Sequence, residues 1–299
     1  MKNERLPVGC PAGSVDVLTR AARPPDLTIR YGDEPDQVAD VHVPEGASHR
    51  NWTGERAPLA IFFHGGFWRA EFGREHTGPL ADALTQAGFV VCAPEYRRSG
   101  QPGGGWPGAF EDAAMAADRL PRLVAKATHG LVDRDQAGAI LAGHSAGGHL
   151  ALWAASRHRL PQGSRWRTEQ QPWRGVVALG AVSDLWACYR KGLGNEAAAA
   201  MMGGGPTDFA DDRYREADPM RLVPAGPQIW LLHGLGDDRV PFTMMLDYAR
   251  EARATGIPAA DATCVLLPGA GHFELIDPLS QEWPQVVDAF QRVGRGPSG

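Results

Sequence analysis

Short apolar runs alternate with longer segments of helical period along most of the chain. The runs fall at 38–43, 59–63, 89–92, 139–142, 175–179, 229–232 and 264–267. Most are four or five residues long and apolar throughout, the pattern of strands buried on both faces. Run 38–43 instead alternates, as Val38-Ala39-Asp40-Val41-His42-Val43, which predicts an edge strand. Helices are expected between the runs, over 79–87, 110–127, 146–158, 242–254 and 284–293. Gly88 stops the first of these, and Pro121 should kink or divide the second. Such alternation describes an α/β fold, a mostly parallel central sheet flanked by helices.

Three segments fall outside the alternation. Residues 1–27 read as a loosely held N-terminal arm and 294–299 as a flexible tail. Residues 184–227 are too long for a simple connection, so a small helical cap insertion is expected within a single domain spanning 28–293. With 43% hydrophobic and 22% charged residues, the composition is that of a folded chain rather than a disordered one. A net charge of -5 argues against a nucleic-acid partner, which calls for a basic face. No apolar run approaches the ~18 to 20 residues of a membrane span, and the N-terminus has no signal-peptide apolar region. A cytoplasmic protein without a membrane partner is therefore the expectation.

Cys10, Cys92, Cys188 and Cys264 are far apart and form no CxxC pair, fitting neither a disulfide framework nor a zinc site. Cys92 and Cys264 sit in apolar runs and are expected to be buried. No HExxH or comparable spacing occurs, so neither metal nor cofactor is expected.

The chemistry concentrates in Gly143-His144-Ser145-Ala146-Gly147. In a chain with 37 glycines, chance supplies about 0.14 of such a G-x-S-x-G match, so the pentapeptide alone is weak. Its context decides. It follows an apolar run and opens a helical one, the strand–turn–helix setting of a nucleophile elbow. A serine hydroxyl needs a base to take its proton and an acid to orient that base. Downstream lie His149, His158, His233 and His272. The first two sit on the helix after the elbow, and His233 ends an apolar run and should pack there. His272, in a glycine-rich loop after the last run, is free to act as base. The preceding loop offers Asp237 and Asp238; Asp237 is preferred as the acid, with Asp238 the competitor. Asp112 and Asp184 read as structural hydrogen-bonding groups.

Upstream, Phe63-His64-Gly65-Gly66-Phe67-Trp68 follows a strand, and its consecutive glycines let N–H groups face a ligand oxygen. The N–H groups of Gly66, Phe67 and Ala146 are the oxyanion-hole candidates, with Gly65 an alternative donor. Trp52, Trp68 and Trp106 serve either as pocket walls or as packing; Trp68, Trp106 and His144 are carried as pocket candidates.

Together these motifs resemble the α/β-hydrolase superfamily, in particular its hormone-sensitive-lipase-like and kynurenine formamidase (arylformamidase)-like serine esterases. His64-Gly65-Gly66-Phe67-Trp68 is similar to the HGGxW loop of kynurenine formamidases. Glu95-Tyr96-Arg97 with 107–112, Gly143 to Leu150, Asp218-Pro219, His233-Gly234, Asp237, Val240-Pro241 and Gly271-His272 follow in register over 28–290. The lipase-like branch usually has a third glycine where this chain has Phe67, which tilts the likeness toward formamidases and small esterases. The resemblance implies a Ser–His–Asp triad of Ser145, His272 and Asp237, and a small ester or N-formyl aromatic amide as substrate. A general short-chain carboxylesterase, an acyltransferase of the same fold or a non-catalytic binding protein are the competing expectations; a homodimer is compatible with all.

Overall fold

Apolar runs become strands where successive Val, Ile, Leu and Phe side chains are covered from both sides. The strands are β1 (Leu27–Arg30), β2 (Val38–His42), β3 (Leu59–Phe63), β4 (Val90–Pro94), β5 (Ala139–His144), β6 (Gly175–Leu179), β7 (Ile229–Gly234) and β8 (Ala262–Leu267). The computed structural model describes residues 15–46, 56–133, 138–169, 173–209, 213–226, 228–257 and 262–295. Among them the strands form one sheet in the order β1-β2-β4-β3-β5-β6-β7-β8. β2 runs antiparallel to β1 and β4, and every other neighbouring pair is parallel. This is the α/β-hydrolase arrangement.

The helices are α1 (Gly78–Gln86), α2 (Gly108–Ala127), α3 (Ala146–Ala155), α4 (Leu185–Arg190), α5 (Leu193–Met202), α6 (Arg213–Ala217), α7 (Thr243–Ala254) and α8 (Trp283–Arg295). Strand alternation sends Leu59, Ile61 and Phe63 of β3 to one face, where Phe110 of α2, Leu150 of α3 and Tyr248 of α7 pack. Ala60 and Phe62 point to the other, against Leu80 and Leu84 of α1 and Val286 and Phe290 of α8. Burying each such large side chain contributes roughly 1.5–3 kcal/mol. Helix α3 is buried on every side, as its apolar circumference requires.

Four expectations change. The alternating run 38–43 is not an edge. β2 sits inside the sheet and β1 takes the edge; the alternation reflects one half-covered face, with Val38 and Asp40 half-buried and Ala39 and Val41 buried. Pro121 neither divides nor ends α2, because Leu120, Pro121 and Val124 are anchored in the core and packing offsets the lost backbone bond. Cys264 is half-buried on edge strand β8, while Cys92 is buried. Cys10 lies outside the described residues.

The arm is not loose over 15–27. Its 3-10 turn Val15–Leu18 buries Val17 completely. Arg20 pairs with Asp277, and Arg23 reaches Asp82 at 3.0 Å and the Val43 carbonyl at 3.1 Å. One apolar anchor and two long-range ion pairs hold a segment that has no periodic pattern. Residues 1–14 and 296–299 of the arm and tail are outside the description.

The segment 184–227, between β6 and β7, carries α4, α5 and α6. The Asp184 carboxylate caps α4 by accepting the Ala187 N–H at 2.6 Å. Buried Asp218 accepts the N–H groups of Leu185, Trp186 and Met220 at 2.9, 3.2 and 3.1 Å. Burial, then the nearby Asp184 charge, pushes its carboxyl up to about 7.

Candidate active site

β5 delivers its last residue, His144, to a sharp turn and α3 begins at Ala146, leaving Ser145 alone between them at φ 55, ψ -120. A left-handed, non-glycine residue costs of order 1–3 kcal/mol, so its surroundings must enforce it. The Ser145 N–H donates to Leu179 O at 2.8 Å, and its carbonyl accepts from His149 and Val182 at 3.1 and 3.2 Å. A Cβ on Gly147 would stand 2.0 Å from Phe63 O, and one on Gly143 2.3 Å from Gly147 O. The glycines are needed because strand, turn and helix touch backbone to backbone.

Asp237 lies in the loop after β7, its side chain fully buried. Its Oδ1 accepts the N–H groups of Arg239 and Val240 at 2.9 and 2.8 Å. Its Oδ2 lies 2.7 Å from His272 Nδ1 and 3.0 Å from His233 Nε2. Burial alone would favour the neutral acid. Hydrogen bonds from His233 and His272, the charge of His272 and the Val240 N–H outweigh it and hold the carboxyl well below the usual carboxylate range. A His272 tautomer that donates Nδ1–H to this carboxylate leaves Nε2 as the ring's acceptor. Asp238 and its partner Arg239 are each 40% exposed, and Asp238 does not share this position.

His233 was expected only to pack. It instead braces Asp237, its Nε2–H lying between Asp237 Oδ2 and Val240 O, the latter at 2.9 Å. His144 holds the His272 loop, donating Nε2–H to His272 O at 3.0 Å with the rings 4.5 Å apart. Burial, then the His272 charge, keeps the His144 imidazole well below its ordinary value and neutral.

The loop after β3 turns through positive φ at Gly66 (108), Phe67 (49) and Trp68 (55). His64 anchors it, with Nε2 2.6 Å from Glu95 Oε1 and Nδ1 2.8 Å from Gly65 O. Tyr96 stacks on the His64 ring at 4.4 Å and donates its hydroxyl to His64 O. Burial opposes the charge on Glu95, yet His64, Arg98 and the Tyr96 N–H hold its carboxyl down to about 2. A Cβ on Gly65 would lie 3.2 Å from Ser145 Cβ, so this glycine sets how closely the loop approaches the elbow.

Ser145, His272, His144, Gly66 and Phe67 meet on the wall of a cavity of about 190 Å³. Phe72 and Phe273, with Val15 and Leu18 from the arm, supply apolar wall; His76 and Arg239 complete it. Trp68 and Trp106, carried as pocket candidates, are elsewhere. Trp68 is fully buried edge-on to His149 at 5.1 Å, and Trp106 packs edge-on to Phe110 and Trp166 at 5.1 and 4.9 Å. Trp68 fills the core and half-buried Trp106 packs against it, and neither lines the cavity. Trp52 lies outside the described residues. None of the wall residues comes from the described part of 184–227; α5 meets this region where Gly194 abuts the Phe67 ring and where the Gly194 and Asn195 carbonyls accept from Arg69. Phe72, His76, Phe273, Arg239 and the arm residues carried no sequence signal, since they arrive from four separate segments.

Among the described residues no three His, Cys, Asp or Glu side chains are placed to hold a metal ion, and no helix is long and apolar enough to cross a membrane.

The BD-FAE family profile matches residues 40–248, a span that includes Ser145 and Asp237 and ends before His272. Kynurenine formamidase of Danio rerio is 32% identical over 130 residues, 44% of this chain and 38% of that protein. A probable isoprenylcysteine alpha-carbonyl methylesterase of Oryza sativa subsp. japonica is 25% identical over 275 residues, 87% of this chain and 61% of that protein. The matches thus span 38% and 61% of these relatives' lengths. A truncated carbohydrate esterase from gut microbiota superposes with TM-score 0.70 at 19% identity, covering 91% of this chain and all of the other, a likeness of fold.

Proposed function

This chain belongs to the BD-FAE family, and from that we propose that it is a serine hydrolase of small carboxylic esters and N-formyl aromatic amides. The observation that carries the reading is the 2.7 Å contact of His272 Nδ1 with a buried, ionised Asp237, on the wall of a cavity shared with Ser145. Ser145 Oγ attacks the carbonyl carbon while His272 Nε2 takes its proton. Negative charge develops on the carbonyl oxygen and is met by N–H groups of Ala146 and of the Gly65–Phe67 loop, each such donor contributing about 10²–10³ in rate. The tetrahedral adduct expels alkoxide or amine, protonated by His272, and leaves an acyl-Ser145 ester. Water deprotonated by His272 then releases the acid.

A cavity of about 190 Å³ is below the usual ligand-pocket range and suits an acetyl, formyl or single-ring group. The relatives named a formamidase and a methylesterase support both arms of the reading. Ser145→Ala, with its circular dichroism unchanged, should lower kcat on p-nitrophenyl acetate and N-formylkynurenine by roughly 10⁴–10⁶-fold. Parent-like hydrolysis by that variant would sink the reading. Turnover of only one substrate by the parent would assign the branch.

A further inference from the structure

Building on the serine-hydrolase reading, we propose that Arg239 is a specificity-determining residue that selects substrates bearing a carboxylate beside the scissile ester or amide.

Four observations carry this. Arg239 lies on the cavity wall together with Ser145 and His272, and among the described lining residues there is no Asp or Glu. A ligand carboxylate there meets the Arg239 cation, whose own ion-pair partner, Asp238, is not among those lining residues. Second, the Arg239 N–H donates to Asp237 Oδ1 at 2.9 Å, which ties the backbone carrying this guanidinium to the loop that orients the base. Third, Arg239 Nε is buried and has no hydrogen-bond partner. It stands 3.4 Å from Asp238 Oδ1 in an ion pair whose two side chains are each 40% exposed. Exposed pairs of this kind are weak and screened by salt, so an incoming carboxylate competes readily for the fork. Fourth, the rest of the wall adds no permanent charge. Burial, then the neighbouring His64, lowers His76 to about 3, and His144 is held neutral as above. The Asp237 charge is met by two imidazoles and two N–H groups, so it does not cancel the arginine.

The remaining surface fixes what else the substrate carries. Phe72 and Val15, 41% and 38% exposed, form apolar lips to the cavity, and Phe67 and Phe273 stand deeper. The preferred substrate is therefore a short ester or amide with an aryl or alkyl body and one carboxylate. Arginine binds such a group through two parallel N–H···O bonds, which lysine cannot reproduce.

The test compares matched esters on the full chain. 4-Acetoxybenzoate against 4-acetoxyacetophenone places the charge on the leaving group; monomethyl succinate against methyl butyrate places it on the acyl group. For wild type the charged member of at least one pair should have the higher kcat/KM. Arg239→Gln should reduce that charged-to-neutral ratio by about 10- to 100-fold, mainly through KM, as loss of a charge-assisted hydrogen bond predicts. Arg239→Lys should restore only part of it. Benzoate and benzamide titrated into wild type and Arg239→Gln give a binding readout that needs no turnover, with benzoate alone weakened. Unchanged ratios together with unchanged benzoate binding in Arg239→Gln would overturn the proposal. Failure of the underlying reading shows separately, as undiminished ester hydrolysis by Ser145→Ala.

Discussion

Asp237 and Asp238 are adjacent, chemically identical and opposite in environment. The first is buried, accepts from two backbone N–H groups and faces two imidazoles; the second is 40% exposed beside Arg239. In the proposed mechanism the orientation of His272 depends on an ionised acceptor at its Nδ1, so Asp237→Asn should place the wrong tautomer there. We expect kcat on p-nitrophenyl acetate to fall about 10⁴-fold, the size of effect known for an acid-to-amide change in such triads. Asp238→Asn should stay within about threefold, because an exposed pair contributes little. Equal losses in the two variants would contradict the assignment. His233 belongs to the same scale. As a lone histidine closing an apolar run it gave no sign of bracing a carboxylate four residues on.

At the scale of elements, the junction of β5, the turn and α3 depends on what is missing from Gly147. In an exposed helix, Gly→Ala stabilises by up to about 1 kcal/mol. Here the new methyl would meet Phe63 O at 2.0 Å and His64 O at 2.4 Å, both backbone atoms with no rotamer to relieve them. Overpacking against fixed groups costs about 1–3 kcal/mol or more and outweighs the helix propensity. Gly147→Ala should therefore lower the urea midpoint with the slope unchanged. A raised midpoint would show that the junction is looser than described. This turn was legible because a steric demand for glycine on both sides of a serine leaves a mark in sequence. The bounds of β3 and β6 coincide with apolar runs for a similar reason, since both strands are covered on both faces. β1 left no such mark. Four residues with alternate ones exposed lack enough apolar character to stand out.

For the whole molecule, burial of titratable side chains sets the response to acid. His149 is buried, donates to Ala217 O at 2.9 Å, and is lowered by burial to about 4. His76 lies at about 3, and the Glu95 carboxyl at about 2. Each folded value is below its unfolded one, so in acid the unfolded chain binds more protons than the folded. The stability these groups support is present in full above the unfolded values and is lost as pH falls toward the folded ones. The histidines act first, from about 6.5 downward, and Glu95 follows below about 4.5. The histidines' share should accordingly lower the melting temperature between pH 6.5 and 4, opposed there by Asp218, whose carboxyl, raised to about 7, takes its proton in the folded chain first. His149→Gln, which keeps a donor for Ala217 O, should flatten that decline. A slope identical to the parent's would mean that the ring is not held neutral.

What the sequence determined by itself is whatever local pattern and steric necessity write into contiguous residues. The parallel strands, the helices over them, the elbow at Ser145 and the glycine loop after β3 each occupy a few neighbouring positions. Tertiary structure alone decided which of two adjacent carboxylates turns inward, that Trp68 fills the core and that Trp106 packs against it. It also decided that Val15 and Leu18 of the arm wall the cavity, and that Arg239 stands there with no Asp or Glu among the described lining residues. Those outcomes depend on distances between segments far apart in the chain. Side-chain direction at such meetings follows from the packing of the whole domain, which no local window of residues contains.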